Sequence, residues 1–138
     1  MNFFKTCIAV ALPVFALTGC VGFDQTMKQM QEAVAPVMIN ESLPQICQSV
    51  RDNPVKANDI YKNKNLTLSG KVSSIKYGLN PKYAVLVKSG NVVVYAGTND
   101  QYAVKQLSVG QSVQVSGTVD HVSYSYKLCA ITLNDSTF

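Results

Sequence analysis

Two ten-residue stretches decide the fold: "LTLSGKVSSI" at residues 66–75 and "VQVSGTVDHV" at residues 113–122. They share apolar residues at the first, third, seventh and tenth positions and Ser-Gly at the fourth and fifth. The alternation is typical of a strand with one buried face, and the phase break after the seventh position predicts a bulge near Ser73-Ser74. Gly70 and Gly117 mark places where a side chain would crowd a curved sheet.

The sequence between and after these stretches predicts three more strands and a short helix. "YAVLV" and "VVVYA" are joined by "KSGN", which favours a hairpin turn. "NDQYAVKQL" predicts a short helix capped by Asn99 or Asp100, and "KLCAITL" predicts the last strand. The order β-β-β-α-β-β is that of a mainly β, five-stranded Greek-key OB-fold barrel, whose long first and fourth strands curve to close it.

N-terminal helices are predicted ahead of the barrel. In "SLPQICQSVRDNP", apolar residues follow helical i, i+3, i+4, i+7 spacing, with Ser42 as N-cap and Asn53-Pro54 as the stop. The next stretch, residues 54–65, predicts a helical turn with Val55, Ile60 and Tyr61 facing inward. Residues 24–34 also carry a helical stripe of Met and Val.

The first twenty residues have the character of an export signal: Lys5, an apolar centre and a small-residue end. The ending "LTGC" resembles the lipobox of bacterial lipoproteins. That resemblance implies cleavage before Cys20, thioether-linked diacylglycerol on Cys20, and acyl chains such as palmitate as the membrane anchor. The alternative is a transmembrane anchor extending through Val21 and Phe23. In Gram-negative lipoproteins, an Asp directly after the lipidated Cys tends to retain the protein on the inner membrane. Val21 stands at this position, which favours the outer membrane, facing the periplasm.

The expected organisation is a signal peptide at residues 1–19, a lipidated tether with a helical segment at 20–41, and the OB-fold domain with its leading helix at 42–138. Cleavage and lipidation leave Cys47 and Cys129 as the remaining thiols. In an oxidising compartment such a pair forms a disulfide, here between the leading helix and the last strand. Two buried free thiols are the alternative.

Three segments, "NPVKANDIYKNKNLTLSGKVSSI", "LSVGQSVQVSGTV" and "LCAITLND", resemble the tRNA-anticodon-binding-like OB-fold family. This family is found largely in small exported bacterial proteins. Asn58 stands where Ala is usual before the Asp. The resemblance covers residues 53–133, and its motifs are structural, so it implies the fold and supplies no mechanism.

The composition and motifs give no sign of catalysis. The formal charge is +4 with the basic residues scattered, whereas dedicated nucleic-acid binders concentrate theirs. Asp120 and His121 are neighbours, so on a regular strand they face opposite sides and cannot form a base–orienter pair. With no free Cys, phosphate-cradling loop or metal-ligand spacing, the sequence predicts a non-enzymatic protein without metal or cofactor.

The candidate ligand-binding residues lie in two loops and one strand. They are Lys76, Tyr77 and Lys82 in the β1–β2 loop, Tyr124, Tyr126 and Lys127 in the β4–β5 loop, and Tyr95 on the third strand. These loops flank the OB-fold ligand face, whereas Tyr83 continues a strand's apolar phase and is assigned to the core.

Two functions follow from these residues. The first is a lipid-anchored cell-envelope binding or adaptor module with a protein or envelope-glycan partner. The alternative is a periplasmic nucleic-acid-binding protein, against which we count the aliphatic face of the second and third strands, where Lys88 and Tyr95 are the polar residues.

Overall fold

The computed structural model describes residues 36–138. The elements are α1 (Leu43–Asp52), α2 (Pro54–Tyr61), β1 (Asn65–Tyr77), β2 (Tyr83–Ser89), β3 (Val92–Thr98), α3 (Gln101–Lys105), β4 (Ser112–Ser125) and β5 (Leu128–Thr137). The strands close into a barrel in the order β1-β2-β3-β5-β4. All neighbouring strands are antiparallel except β3 and β5, which are parallel. The predicted mainly β OB-fold barrel is confirmed.

The two repeated stretches pair with each other. β1 and β4 run antiparallel with Leu68 opposite Val115, so each glycine faces the first apolar residue of the other copy: Gly70 opposite Val113, and Gly117 opposite Leu66. The repeat therefore forms a local two-fold arrangement centred on Leu68 and Val115. The same short motif therefore forms both strands of this antiparallel pair.

Both glycines stand where another chain segment approaches the backbone closely. A Cβ built on Gly70 would lie 2.5 Å from the carbonyl oxygen of Lys88, and one on Gly117 would lie 2.9 Å from the carbonyl oxygen of Asn134. Side chains do not fit at such distances without movement of the backbone. The sequence-based reason for these glycines is confirmed.

The predicted phase breaks are bulges at equivalent positions of the repeat. The β1–β2 register shifts between Val72 and Ser74, and the β4–β5 register shifts between Val119 and His121. The extra residues are Ser73 and Asp120, which occupy the eighth position of each stretch. A bulge increases the local twist, so both long strands bend where the barrel needs to close.

The interior of the barrel is filled by inward-facing residues that alternate along the strands. The side chains with almost no exposure are Ile46, Val50, Val72, Val85, Val87, Val94, Val115, Val119, Val122, Cys129, Ile131 and Leu133. Most are β-branched and suit a pleated surface. Two come from α1, so this helix contributes to the main core.

Helices α1 and α3 begin after predicted cap residues, and α1 ends at the predicted stop. Ser42 is the N-cap of α1, and its backbone N–H donates to Gln45 Oε1 at 2.8 Å. Asn53 ends α1 and caps α2, accepting from the backbone N–H of Lys56 at 3.0 Å. Asp100 caps α3 through the N–H of Ala103 at 3.0 Å. The prediction that Val55 faces inward is wrong: it is 72% exposed, because it follows Pro54 on the outer side of the first turn of α2.

Two regions differ from the expected boundaries. β4 continues to Ser125 and β5 to Thr137, because the two strands keep pairing as far as the turn and beyond Leu133. Residues 36–41, assigned by sequence to the tether, contact the barrel: Ile39 is buried and its N–H donates to the carbonyl of Asn65 at 2.8 Å. The leader, Cys20 and the helical segment at 24–34 lie outside the described residues. Within residues 36–138, no helix is long and apolar enough to cross a membrane.

Candidate ligand-binding groove

A groove lies between α1 and the two turns at one end of the barrel, the β2–β3 turn and the β4–β5 turn. Its cavity volume is about 420 Å³, and we call it the α1 groove. It is lined by Leu43, Pro44, Cys47, Gln48, Arg51, Ser89, Gly90, Asn91, Val92, Tyr124, Lys127 and Cys129. This set contains two cations and no carboxylate, so the groove has a positive character.

A disulfide between Cys47 and Cys129 joins the helix side of the α1 groove to the strand side. The S–S distance is 2.02 Å and the Cα atoms are 5.7 Å apart, so the predicted bridge is present in the structure. Cys129 is buried and Cys47 is half-buried, and both line the groove. The bridge fixes the position of α1 on β5.

Arg51 lies one helical turn after Cys47 and therefore on the same face of α1. Its guanidinium carbon stands 5.7 Å from the centroid of the Tyr124 ring, within cation–π distance. The same guanidinium donates a hydrogen bond to Gln48 Oε1, and Gln48 Nε2 donates to Asp52 Oδ1 at 2.7 Å. A guanidinium has five N–H donors, so these contacts leave donors for a ligand.

The β4–β5 turn has two residues in an unfavourable backbone conformation. Ser125 and Leu128 are opposite each other, and the two residues between them, Tyr126 and Lys127, have φ angles of 49° and 64°. Two-residue turns of this kind favour Asn-Gly, because a non-glycine residue at positive φ costs about 1–2 kcal/mol. Tyr126 is 96% exposed, so packing does not explain its presence. The two side chains are candidates for a role outside the fold.

The predicted β1–β2 loop residues are at the other end of the barrel. Tyr77 pairs with Tyr83, which pairs with Thr98 at the end of β3, whereas Cys129 pairs with Val92 at its start. The seven residues of β3 between these ends span about 20 Å. The two predicted loops therefore flank the β2–β3 face from opposite ends and do not form one cluster.

The β1–β2 loop has its own local contacts. Tyr77 is 85% exposed and its ring centroid is 5.5 Å from that of Tyr83. The ammonium of Lys82 lies 5.7 Å from the Tyr83 ring, and Lys76 is exposed beside them. Tyr83 itself is 4% exposed, which confirms its assignment to the core.

Tyr95 lies midway between the two ends, on the outer face of β3. It stands opposite Leu86 of β2 and Thr132 of β5, and it is partly exposed. The face around it is largely aliphatic, as the sequence indicates. The structure thus distributes the candidate residues over three places: Lys76, Tyr77 and Lys82 at one end, Tyr95 in the middle, and Tyr124, Tyr126 and Lys127 at the α1-groove end.

Asp120 and His121 are placed differently from the sequence expectation. The bulge at Asp120 interrupts the alternation of β4, so both side chains are exposed and line one shallow depression together with Asp59 of α2. In the part of the chain from Pro36 onward, no three His, Cys, Asp or Glu residues are grouped closely enough to hold a metal ion.

A family model covers almost the entire chain: the tRNA_anti-like model matches residues 1–137. The chain belongs to the tRNA_anti-like family. The resemblance of the three sequence segments to this family is confirmed, and so is the barrel that the family implies. No curated protein matches the chain.

Among solved structures, this tRNA_anti-like chain is similar to a lipoprotein of Klebsiella pneumoniae subsp. pneumoniae MGH 78578, whose name gives nucleic-acid binding as a provisional assignment. The TM-score is 0.54 at 20% identity, over 83% of this chain and 95% of that one. At this identity the likeness establishes the shared fold.

The sequence analysis of this tRNA_anti-like protein did not find Arg51 as a site residue. The signal was present, because Arg51 follows Cys47 by four positions and a helix pinned at Cys47 directs Arg51 to the same face. What the sequence lacks is the position of the β4–β5 turn relative to α1. That position brings Tyr124 under Arg51 and Lys127 into the same groove.

Proposed function

We propose that the protein is a non-enzymatic binding module, anchored at the cell envelope through a lipid on Cys20, that binds single-stranded nucleic acid in the α1 groove. The observation that carries this proposal is the contact of Arg51 with the Tyr124 ring in a groove that Lys127 also lines and that no carboxylate lines. This is the second of the two functions derived from the sequence.

The physical chemistry of single-strand recognition favours this choice. Such proteins combine cations that contact phosphates with aromatic rings on which bases stack. Arg51 supplies a bidentate phosphate donor, Lys127 supplies a point charge, and the exposed ring of Tyr126 supplies a stacking surface next to them. Two sequence arguments counted against nucleic acid: the scattered basic residues and the aliphatic β2–β3 face. Arg51 and Lys127 line one groove and lie outside that face.

Two further observations support the proposal. The Klebsiella lipoprotein with the same fold has nucleic-acid binding in its name. Its lipoprotein character also supports the lipobox at "LTGC" and the envelope location, with the outer membrane as the expected side. Lipid attachment at Cys20 would keep the domain at the membrane surface, from which the groove can take an extended strand.

The non-enzymatic role that we propose is supported by the positions of the thiols, His121 and Asp120. The two thiols in the described region are joined, so neither Cys47 nor Cys129 is a nucleophile. His121 and Asp120 are exposed to solvent on a strand bulge, whereas acid–base catalysis requires a positioned pair next to a bound substrate.

A protein or envelope-glycan partner, the first sequence-based hypothesis, has its own candidate surface. At the far end of the barrel from the α1 groove, Leu79 is fully exposed in the β1–β2 loop, two positions after the exposed Tyr77. Exposed aromatic residues are enriched in protein–protein interfaces. This second surface can act without the α1 groove.

The ligand class is tested with the full-length protein in detergent and a fluorescent oligothymidylate, followed by anisotropy. We expect the double variant Arg51→Gln/Lys127→Gln to weaken binding at least tenfold. The matched control, Lys56→Gln/Lys105→Gln, removes the same charge on α2 and α3 and stays within twofold of the wild type. Equal weakening in both variants, or stronger binding of an acidic envelope glycan than of the oligonucleotide, would contradict the proposal.

A further inference from the structure

We infer that Lys71 and Lys88 form a second phosphate subsite, continuous with the α1 groove over the β2–β3 turn. The inference rests on the proposed function, because it places a further stretch of the bound nucleic-acid strand on a second part of the protein surface. We call this part the lysine-pair depression; it has a volume of about 540 Å³ and is lined by Ser69, Gly70, Lys71, Lys88, Ser89, Gly90, Ser112 and Val113.

The two lysines are directly opposite each other across the β1–β2 ladder. Residues in this relationship have Cβ atoms about 4.5–5.5 Å apart on the same face of the sheet, and like charges there destabilise the pair. Both side chains are exposed. No carboxylate is among the residues that line this depression, so a bound anion is the group that would offset the repulsion.

The residues around the lysine pair are small. Lys71 is the position at which β1 pairs with both sheet neighbours, Lys88 of β2 and Ser112 of β4. Gly70 precedes it at a close approach of β1 to β2, where a Cβ would lie 2.5 Å from the Lys88 carbonyl oxygen. The side chains beside the two lysines on the lining of the depression, Ser69, Ser89 and Ser112, are short, so they leave room for a ligand backbone.

The lysine-pair depression and the α1 groove share two lining residues, Ser89 and Gly90. Gly90 has no side chain, and a Cβ built on it would meet nothing within 4 Å. The ridge between the two sites therefore carries one short side chain, that of Ser89, beside the bare backbone of Gly90. A nucleic-acid strand that crosses this ridge would contact Lys71 and Lys88 on one side and Lys127 and Arg51 on the other.

The consequence is a site longer than the α1 groove. A short strand fills the groove only, whereas a longer strand adds phosphate contacts at the lysine pair. OB-folds bind about 4–16 nucleotides, so strands of four and twelve thymidines separate the two cases. Each phosphate contact also adds a term of about 0.7 to the slope of log K against log salt for single strands.

The test measures binding of the four- and twelve-thymidine strands over a salt series. It compares the wild type with Lys71→Gln/Lys88→Gln, both as full-length protein in detergent. We expect binding of the twelve-residue strand to weaken at least tenfold and its salt slope to fall by about 1.4, the contribution of two phosphates. Binding of the four-residue strand should change less than twofold. Unchanged binding of the longer strand, or equal loss for both strands, would overturn the second subsite.

The design separates failure of this inference from failure of the proposed function. If Arg51→Gln/Lys127→Gln weakens the four-residue strand while the lysine variant leaves both strands unchanged, the groove stands and the second subsite falls. If neither variant changes either strand, the proposed function itself falls. In the ligand-free protein, Lys88→Gln should raise the melting temperature because it relieves the repulsion between Lys71 and Lys88. If it instead lowers the melting temperature and oligonucleotide binding is lost, the loss comes from damage to the fold, and the inference is overturned.

Discussion

The guanidinium of Arg51 lies over the ring of Tyr124, with its central carbon 5.7 Å from the ring centroid. This contact joins the last turn of α1 to the end of β4, at the side of the barrel where the β2–β3 and β4–β5 turns meet. It stands next to the disulfide that attaches the same helix to β5. The binding chemistry proposed for the α1 groove therefore depends on the attachment of a helix that precedes the barrel.

The disulfide is expected to stabilise the fold and to maintain the groove. It joins residues 82 positions apart, and closing a loop of this length contributes about 4 kcal/mol to the free energy of unfolding in the chain-entropy model. Denaturant unfolding with and without reductant measures this difference. Because α1 carries Arg51, reduction should also weaken oligonucleotide binding.

Peptide mapping without reduction checks the bridge in the mature protein. The peptides containing Cys47 and Cys129 should be recovered joined. Alkylation of both thiols in the unreduced, folded protein would show that they are free and would remove the basis of the preceding expectation.

Replacement of the β4–β5 turn should change stability and binding in opposite directions. Tyr126→Asn/Lys127→Gly introduces the residues that this turn favours, so we expect the free energy of unfolding to rise by about 1–2 kcal/mol. The same change removes a stacking ring and a cation, and binding of the twelve-thymidine strand should weaken at least tenfold.

The matched control for the turn is Tyr77→Ala, which removes another largely exposed tyrosine at the other end of the barrel. It should leave both stability and oligonucleotide binding close to the wild type. If the control weakens binding as much as the turn variant, the ligand contacts the β1–β2 loop and the α1 groove is not the principal site.

Gly70→Ala should destabilise the barrel because of the approach of Lys88. The added methyl would lie 2.5 Å from a carbonyl oxygen and 2.7 Å from Val87 Cγ1, and overpacking of this kind costs about 1–3 kcal/mol. Ser69→Ala, at the exposed neighbouring position, serves as control and should cost less than 0.5 kcal/mol. Equal unfolding midpoints for the two variants would show that β1 and β2 are further apart at this point.

The lipid anchor is expected to depend on Cys20 alone. Cys20→Ser should give an unprocessed precursor without lipid, because the thioether forms on the cysteine sulfur and cleavage follows lipidation in bacterial lipoproteins. Detergent partitioning and intact mass measure both changes. A variant of the mature size with unchanged partitioning would rule out the lipoprotein assignment.

The barrel could be predicted from the sequence because its determinants are local. The repeated stretches encode alternation, a glycine and a bulge at matching positions, and the structure places Ser73 and Asp120 at the two bulges. The helix caps at Ser42, Asn53 and Asp100 follow from single residues. The disulfide was predicted on the expectation of export, which leaves Cys47 and Cys129 as the remaining pair of thiols, and the structure contains it.

The groove could not be predicted in the same way, because its cations come from distant parts of the chain. Lys127 belongs to a turn, Arg51 to a helix ahead of the barrel, and Lys71 and Lys88 to different strands. Only the barrel closure and the position of α1 bring them to one end. For the same reason, the tyrosine loops that look alike in sequence are separated by the length of β3.

Photo-cross-linking of a 5-iododeoxyuridine oligonucleotide to the full-length protein tests the central claim most directly. The halogenated base cross-links to aromatic side chains that it contacts, and mass mapping identifies the residue. We predict cross-links at Tyr124 or Tyr126, lost in Arg51→Gln/Lys127→Gln. Binding in the α1 groove would be contradicted by cross-links concentrated at Tyr77 or Tyr102. It would also be contradicted if the cross-linking yield at low salt were no greater than the yield at 1 M salt, where a screening length of about 3 Å suppresses phosphate contacts.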